Sequence, residues 1–305
     1  MESAGVILVD KDQGWSSSDV VAKLRRLLGA RKVGHCGTLD PMATGLLVIC
    51  VNSATKLADL LSRHDKDYLA TIELGRRTDT DDAEGRIIAQ ADPTNISLEG
   101  VEKVLRSFVG RQSQIPPGYS AIKVDGVRSY RRARKGETFA LKPREVIFHK
   151  LELLDWQPPD FEVSIRCSAG TYIRALARDV GETLGVGAHL SHLRRIRSGQ
   201  FGIDRARTID DIERICVDGS PAGLLMNCLD VLVDLPMLSL PASLFVRLTQ
   251  GQIVQVDGPI PDPSAEYLVV VQDPPNDQVV LARQANSRTL APAKLIAGNP
   301  VRVSA

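Results

Sequence analysis

The chain has 305 residues, 43% of them apolar, 25% charged and 4% aromatic. This excludes a disordered or fibrous chain and leaves enough apolar side chains for a sizeable core, divided between one large domain and a small one. The formal net charge of +1 says nothing about partners, and no run of about eighteen apolar residues marks a membrane helix.

From the N-terminus, "GVILVDK" predicts a short buried strand. "GWSSSDVVAKLRRLLG" predicts a helix opened by Ser16 and Asp19 at capping-box spacing, with Val20, Val21, Leu24, Leu27 and Leu28 on one stripe. The glycine-rich stretch "VGHCGTLDPMATG" follows as a loop, then "LLVICV" as a second buried strand and "ATKLADLLS" as a short helix. "YLATIELG" alternates like a strand, with Lys66 and Asp67 before it taken as surface charges. "RRTDTDDAEGR" is a turn-rich loop ahead of the strand "IIAQ". Ser97 starts a helix over 97–108. Residues 111–137 are irregular and basic and hold Tyr119 and Tyr130. Residues 146–156 and 161–168 predict paired strands around Pro158 and Pro159, followed by the helices "GTYIRALARDVGETLG" and "TIDDIERI". After Leu235 the chain breaks into short β-rich runs split by Gly and Pro, which predicts a small β-domain. The uneven alternation of elements favours an α+β fold with a mixed sheet over a doubly wound parallel one.

Charge is distributed unevenly. Residues 111–150 carry 10 Lys/Arg against 3 Asp/Glu, and residues 187–203 carry Arg194, Arg195 and Arg197 with no acid. Such clusters suit a polyanion; they equally suit a solvated face whose acids lie elsewhere in the chain. The five cysteines, Cys36, Cys50, Cys167, Cys216 and Cys228, are odd in number with no CxxC pair, which predicts free thiols in a reducing compartment. The N-terminus lacks a signal pattern, so the expected location is the cytoplasm.

The motifs narrow the chemistry. "GHCGTLDPMATG" lacks the lysine of a phosphate loop, and no GxGxxG occurs. His189 and His192 stand in HxxH spacing without a neighbouring glutamate or cysteine, and "DTDDAEG" carries its glycine one place too late for a calcium loop, so no metal site is predicted. By itself Asp40 fits an Asp-Pro turn.

Taken together, "GHCGTLDPMATGLL", "ATK", "KDYLATIELGRRTDTDDAEG", "QIPPGYSAIK", "CSAGTYIRALARDVGETLG" and "GAHLSHLRR" resemble the TruB-type pseudouridine synthases, over residues 5–234. Ala43 stands where relatives that work in guide-RNA particles usually carry Val, and Gly118 where many members place a bulkier residue. The resemblance implies a pseudouridine-synthase fold at residues 1–234, with a largely antiparallel central sheet flanked by helices, and a PUA-like RNA-binding domain at 235–305. It implies isomerisation of the uridine at position 55 in the tRNA T-loop, with no cofactor or metal. The partner is the T-stem and T-loop of tRNA, and the protein is a monomer with no obligatory protein partner and no membrane. The alternative is a non-catalytic RNA-binding or tRNA-folding module on the same fold.

By resemblance Asp40 is the catalytic carboxylate, acting as nucleophile at the ribose or as base in a glycal route. Arg174 is its partner, expected to lower its pKa, and Tyr68 stacks on the uracil or helps remove the proton from carbon 5, with stacking favoured because a phenol with a pKa of about 10 is a poor base. His35 fills the space left by the flipped base, Tyr172 and Leu193 wall the pocket, and Lys56 supports it electrostatically. The basic stretch that includes Lys123, Arg128, Arg131 and Arg132 is suited to gripping an RNA stem.

Overall fold

The computed structural model describes residues 3–120, 141–219, 221–258, 260–262, 264–273 and 278–297, together with 123–124, 127–129, 132, 137 and 139. In chain order the first strands are β1 (Gly5–Lys11), β2 (Val33–His35), β3 (Thr44–Val51), β4 (Lys66–Leu74), β5 (Arg76–Thr78) and β6 (Ile87–Gln90). They are followed by β7 (Gly110–Gln114), β8 (Lys123–Val124), β9 (Val127–Arg128), β10 (Arg144–Gln157), β11 (Asp160–Cys167), β12 (Ala188–Ser198) and β13 (Phe201–Gly202). The helices are α1 (Ser17–Leu27), α2 (Ala58–Ser62), α3 (Leu98–Phe108), α4 (Ile173–Thr183), α5 (Ile209–Val217) and α6 (Ala242–Thr249).

The main sheet runs β1–β3–β12–β4–β11–β10–β7, with β2 beside β3 and β13 beside β12. Its pairings are antiparallel except that of β12 with β3, where Arg194 and Arg195 lie opposite Thr44 and Gly45. A second sheet collects β14 (Met237–Pro241), β15 (Val254–Gln255), β16 (Leu268–Asp273), β17 (Gln278–Asn286) and β18 (Thr289–Ala297) in the order β14–β16–β17–β18–β15. The fold is therefore α+β with a mixed, mostly antiparallel central sheet and a β-rich C-terminal part.

The unbroken apolar runs of β1 and β3 have a direct cause. Ile7, Val9, Leu47, Ile49 and Val51 face one core with the helices, whereas Val6, Leu8, Leu46, Val48 and Cys50 face a second core shared with Tyr267, Val269, Leu281 and Ile296 of the second sheet. Strands covered on both faces lose the alternation of polar and apolar residues. Local signals held at the helix starts. Ser16 accepts the Asp19 N–H at 3.1 Å and the Asp19 carboxylate accepts the Ser16 N–H at 3.0 Å, closing the capping box. Ser97 caps α3 through the Gly100 N–H.

Helix α4 lays Ile173, Leu176, Ala177 and Val180 into the core. Each large apolar side chain so buried contributes about 1.5–3 kcal/mol. Gly181 lets the helix approach the start of β12, since a Cβ there would stand 2.2 Å from the Ala188 backbone nitrogen.

Three expectations are corrected. Residues 111–114 are not irregular but form the edge strand β7 with Gly110. For the arginines of residues 187–203 the sequence left two readings open, and the one with acids elsewhere in the chain is the one that holds: residues 188–198 are a strand at the middle of the main sheet, Arg194 pairs with Asp10 at 2.7 Å, Arg197 lies 3.6 Å from Asp67, and Arg195 is buried. The acids sit on other strands, out of reach of any local count. Lys66, the first residue of β4, is buried, and the β-rich C-terminal run contains helix α6.

Candidate active site

The loop between β2 and β3 carries Asp40. Its shape is fixed against α1 and its approach: Ser17 Oγ donates to the Leu39 carbonyl at 3.0 Å and accepts the Leu39 N–H at 2.8 Å, and the Gly14 N–H donates to the Pro41 carbonyl at 2.8 Å. The Ala43 N–H closes a turn onto the Asp40 carbonyl. Lys11, at the end of β1, is fully buried beneath this loop and donates to the carbonyls of Trp15 at 2.7 Å and Asp12 at 3.0 Å.

Opposite stands Arg174, at the start of α4. Its Nε lies 3.0 Å from Asp40 Oδ2, an ion-pair contact without hydrogen-bond alignment. Nη1 donates to Asp82 Oδ2 and to the Thr80 carbonyl, both at 3.1 Å, and Nη2 donates to the Tyr119 carbonyl at 2.9 Å. Arg174 and Asp82 are buried, whereas the Asp40 side chain keeps 37% of its surface open. One guanidinium thus joins a carboxylate locked in the protein to one open to a ligand. Start of helix and loop are themselves tied down. Gln114 holds both the Tyr172 N–H and the Tyr172 carbonyl, and the loop after β5 is stitched to the start of β12 by the Leu190 N–H on the Asp81 carbonyl and the Ala83 N–H on the Leu190 carbonyl.

Burial raises the Asp40 pKa above its ordinary value; Arg174 opposes that push, Asp82 adds to it and Lys11 opposes it. The expected net lowering by Arg174 is therefore corrected: the guanidinium pulls in the predicted direction, and desolvation outweighs it. Burial takes the Lys11 ammonium down to about 8, against the pull of Asp40.

Tyr68, in β4 between β11 and β12, is buried, and burial raises its phenol pKa while Arg195 opposes the rise. His35 is half-buried at the end of β2 with no hydrogen-bond partner for Nδ1 among the described residues, and burial, then Arg195, lowers its pKa. Leu193 is buried on β12 beside Ala70. Tyr172 is half-buried with the Arg144 guanidinium 5.8 Å from its ring. Lys56 stands apart: its ammonium donates to the Leu295 carbonyl of the second sheet, and Lys294 answers on the Lys56 carbonyl. Lys123 and Arg128 are register partners in the β8–β9 pair, Arg132 pairs with Glu137 and covers Phe139, and Arg131 lies outside the described residues.

Sequence reasoning missed Asp82, Lys11 and Arg195. Asp82 lay in a stretch read as a turn-rich loop, rejected as a calcium site and matched to the family, but given no role of its own, although three aspartates fall within four residues. Lys11 ends an apolar strand, where a cation normally marks the surface.

The fold is that of RNA-modifying pseudouridine synthases. A solved Cbf5–Nop10–Gar1 complex matches 95% of this chain and 83% of its own chain at 25% identity and a TM-score of 0.73. An H/ACA ribonucleoprotein bound to a substrate RNA containing 2′-deoxyuridine matches 97% of this chain and 85% of its own at 23% identity and a TM-score of 0.71. Residues 25–173 match the model of the TruB family pseudouridylate synthase N-terminal domain, and residues 174–233 that of the tRNA pseudouridylate synthase B C-terminal domain. The tRNA pseudouridine synthase B of Syntrophotalea carbinolica is 43% identical over 247 residues, 81% of this chain and 80% of that protein. Its counterpart in Rhodococcus jostii is 50% identical over 214 residues, 68% and 70% of the two chains. The chain belongs to the TruB family of pseudouridylate synthases.

Proposed function

We propose that this protein converts uridine to pseudouridine at position 55 in the T-loop of tRNA. The observation that carries the proposal is the Asp40 carboxylate, open to a ligand yet held at 3.0 Å by a guanidinium clamped from behind by Asp82. The reaction breaks the bond between ribose C1′ and uracil N1, turns the base and joins C5 to C1′; the C5 proton leaves and N1 gains one, so no atom is gained or lost. Attack at C1′ and abstraction of a ribose proton both need an ionised carboxylate beside the sugar. Arg174 supplies the countercharge that keeps Asp40 ionised against burial.

Tyr68 offers the uracil an aromatic wall. Its raised pKa keeps it a phenol at neutral pH, which favours stacking over proton removal. The T-loop uridine must leave its stack to reach Asp40, and His35, neutral and short of one hydrogen bond, takes the vacated place. Tyr172 and Leu193 close the pocket. Lys56, placed on the seam with the second sheet, does not serve the Asp40 shell. Lys123, Arg128, Arg131 and Arg132 grip the T-stem through phosphates. The catalytic unit spans 1–234 and the PUA-like RNA-binding unit 235–305. The protein works in the cytoplasm as a monomer without an obligatory protein partner; its free cysteines suit that compartment. A non-catalytic RNA-binding role is disfavoured by the preserved carboxylate pair on Arg174.

Tritium release from tRNA carrying 5-tritiated uridine tests the proposal. The wild type releases tritium and Asp40→Asn, folded and still binding tRNA, does not. Equal release by both removes Asp40 from the chemistry, and release from a tRNA lacking uridine 55 removes the assigned position.

A further inference from the structure

We propose that Arg195 is a positioning residue that holds the Asp40 loop and Tyr68 in register with each other. This deepens the function proposed above and rests on it for its consequence in catalysis.

Arg195 is one of the largest side chains fully buried in the protein, at 1% exposure, and no ion pair joins it to a carboxylate among the described residues. A buried guanidinium without a carboxylate partner is costly, and it is tolerated only where its donors are satisfied by fixed acceptors. Here these acceptors bracket one loop. Nη2 donates to the Gly37 carbonyl at 3.2 Å and Nη1 to the Thr38 carbonyl at 3.5 Å, both before Asp40. Nε donates to the Leu46 carbonyl at 2.7 Å, after it. Gly37 rests against the guanidinium, since a Cβ there would lie 3.6 Å from Nη1.

The backbone of Arg195 makes the second half of the clamp. It pairs with Gly45 in the one parallel contact of the main sheet. Gly45 has φ +97°, and a Cβ there would meet the Arg195 carbonyl at 2.3 Å, so the loop exit closes directly on β12. On its other side Arg195 is the register partner of Tyr68, and its charge opposes the rise that burial imposes on the Tyr68 phenol pKa. The neighbouring buried cation, Lys66, cannot substitute, because its ammonium is held by the His64 and Ser62 carbonyls. Arg195 therefore touches the two residues that face the substrate through their own chain segments, and acts through them.

The test uses Arg195→Met and Arg195→Lys in the full chain, with amide hydrogen exchange over residues 36–46, unfolding temperature, tRNA affinity and single-turnover pseudouridine formation. Arg195→Met speeds exchange in 36–46 at least about tenfold while β10 and β11 stay protected. Its single-turnover rate falls by about 100-fold with tRNA affinity within about twofold of the wild type. Arg195→Lys recovers only part of both, since an ammonium cannot span three carbonyls. Tyr68→Ala loses less when combined with Arg195→Met than it does in the wild type, because the ring is then already out of place. Unchanged exchange in a folded variant, or equal losses of rate and affinity, overturns the proposal. Should Arg195→Met fail to fold, wild-type exchange and rate in Arg195→Lys overturn it. The exchange result is independent of any reaction, so an inactive wild type would refute the proposed function and leave the clamp to be judged separately.

Discussion

Replacing Asp82 by Asn isolates the buried half of the Arg174 pair. The Asp82 carboxylate takes three hydrogen bonds: Thr80 Oγ1 at 2.6 Å and the Glu84 N–H at 3.1 Å on Oδ1, and Arg174 Nη1 at 3.1 Å on Oδ2. An asparagine oxygen can keep the first two. The amide nitrogen then faces Nη1, donor against donor, and the charge-assisted bond is lost at about 1.5–3 kcal/mol. Arg174 keeps the Thr80 and Tyr119 carbonyls, so the protein still folds, but only Asp40 now balances its charge. The guanidinium is drawn toward the open carboxylate and its orientation loosens. If about 2.7 kcal/mol of this pre-set geometry is missing from the transition state, the rate falls about 100-fold. Single-turnover pseudouridine formation, read beside urea unfolding and tRNA affinity, measures all three. A folded Asp82→Asn variant within about threefold of the wild-type rate refutes the argument that Asp82 fixes Arg174 for Asp40.

Four further outcomes follow. The acid limb of the pH–rate profile lies above the ordinary aspartate value, because burial raises Asp40; an acid limb at or below that value contradicts the site as described. The linkage has the opposite sign for stability: a carboxylate with a raised folded pKa weakens the fold as pH rises through it, so Asp40→Asn is at least as stable as the wild type at pH 7 and loses this advantage in acid, checked by thermal unfolding. Gly181→Ala costs about 1–3 kcal/mol in urea unfolding, since its Cβ meets backbone of β12 that cannot move aside. Arg131→Ala combined with Arg132→Ala weakens tRNA binding and flattens its salt dependence while single-turnover chemistry at saturation is unchanged; unchanged affinity in filter binding counts against the basic stretch.

Much of the local structure was legible in the chain because the signals are short-range. Ser16 and Ser97 marked helix starts through bonds that close within three residues. The apolar stripe of α4 and the alternation in β4 each follow from one period. The loop bearing Asp40 and the helix bearing Arg174 were singled out as well, by the residues that resemble the family. What stayed hidden depends on residues far apart in the chain. Arg194, Arg195 and Arg197 look alike in sequence, and nothing local says that one meets Asp10, one meets Asp67 and the third is buried against the loop that carries Asp40.

The sequence by itself determined most of the local elements, the α+β class and the family, and pointed to Asp40, because each rests on neighbours in the chain or on a contiguous motif. Only the tertiary structure decided that Asp40 shares Arg174 with Asp82, that Lys11 lies beneath it, and that its pKa goes up rather than down. It decided, too, that Lys56 belongs to the seam with the second sheet. These are matters of desolvation and of side chains converging from β1, β4, α4 and β12, and a linear pattern carries neither the dielectric around a charge nor the distance between strands.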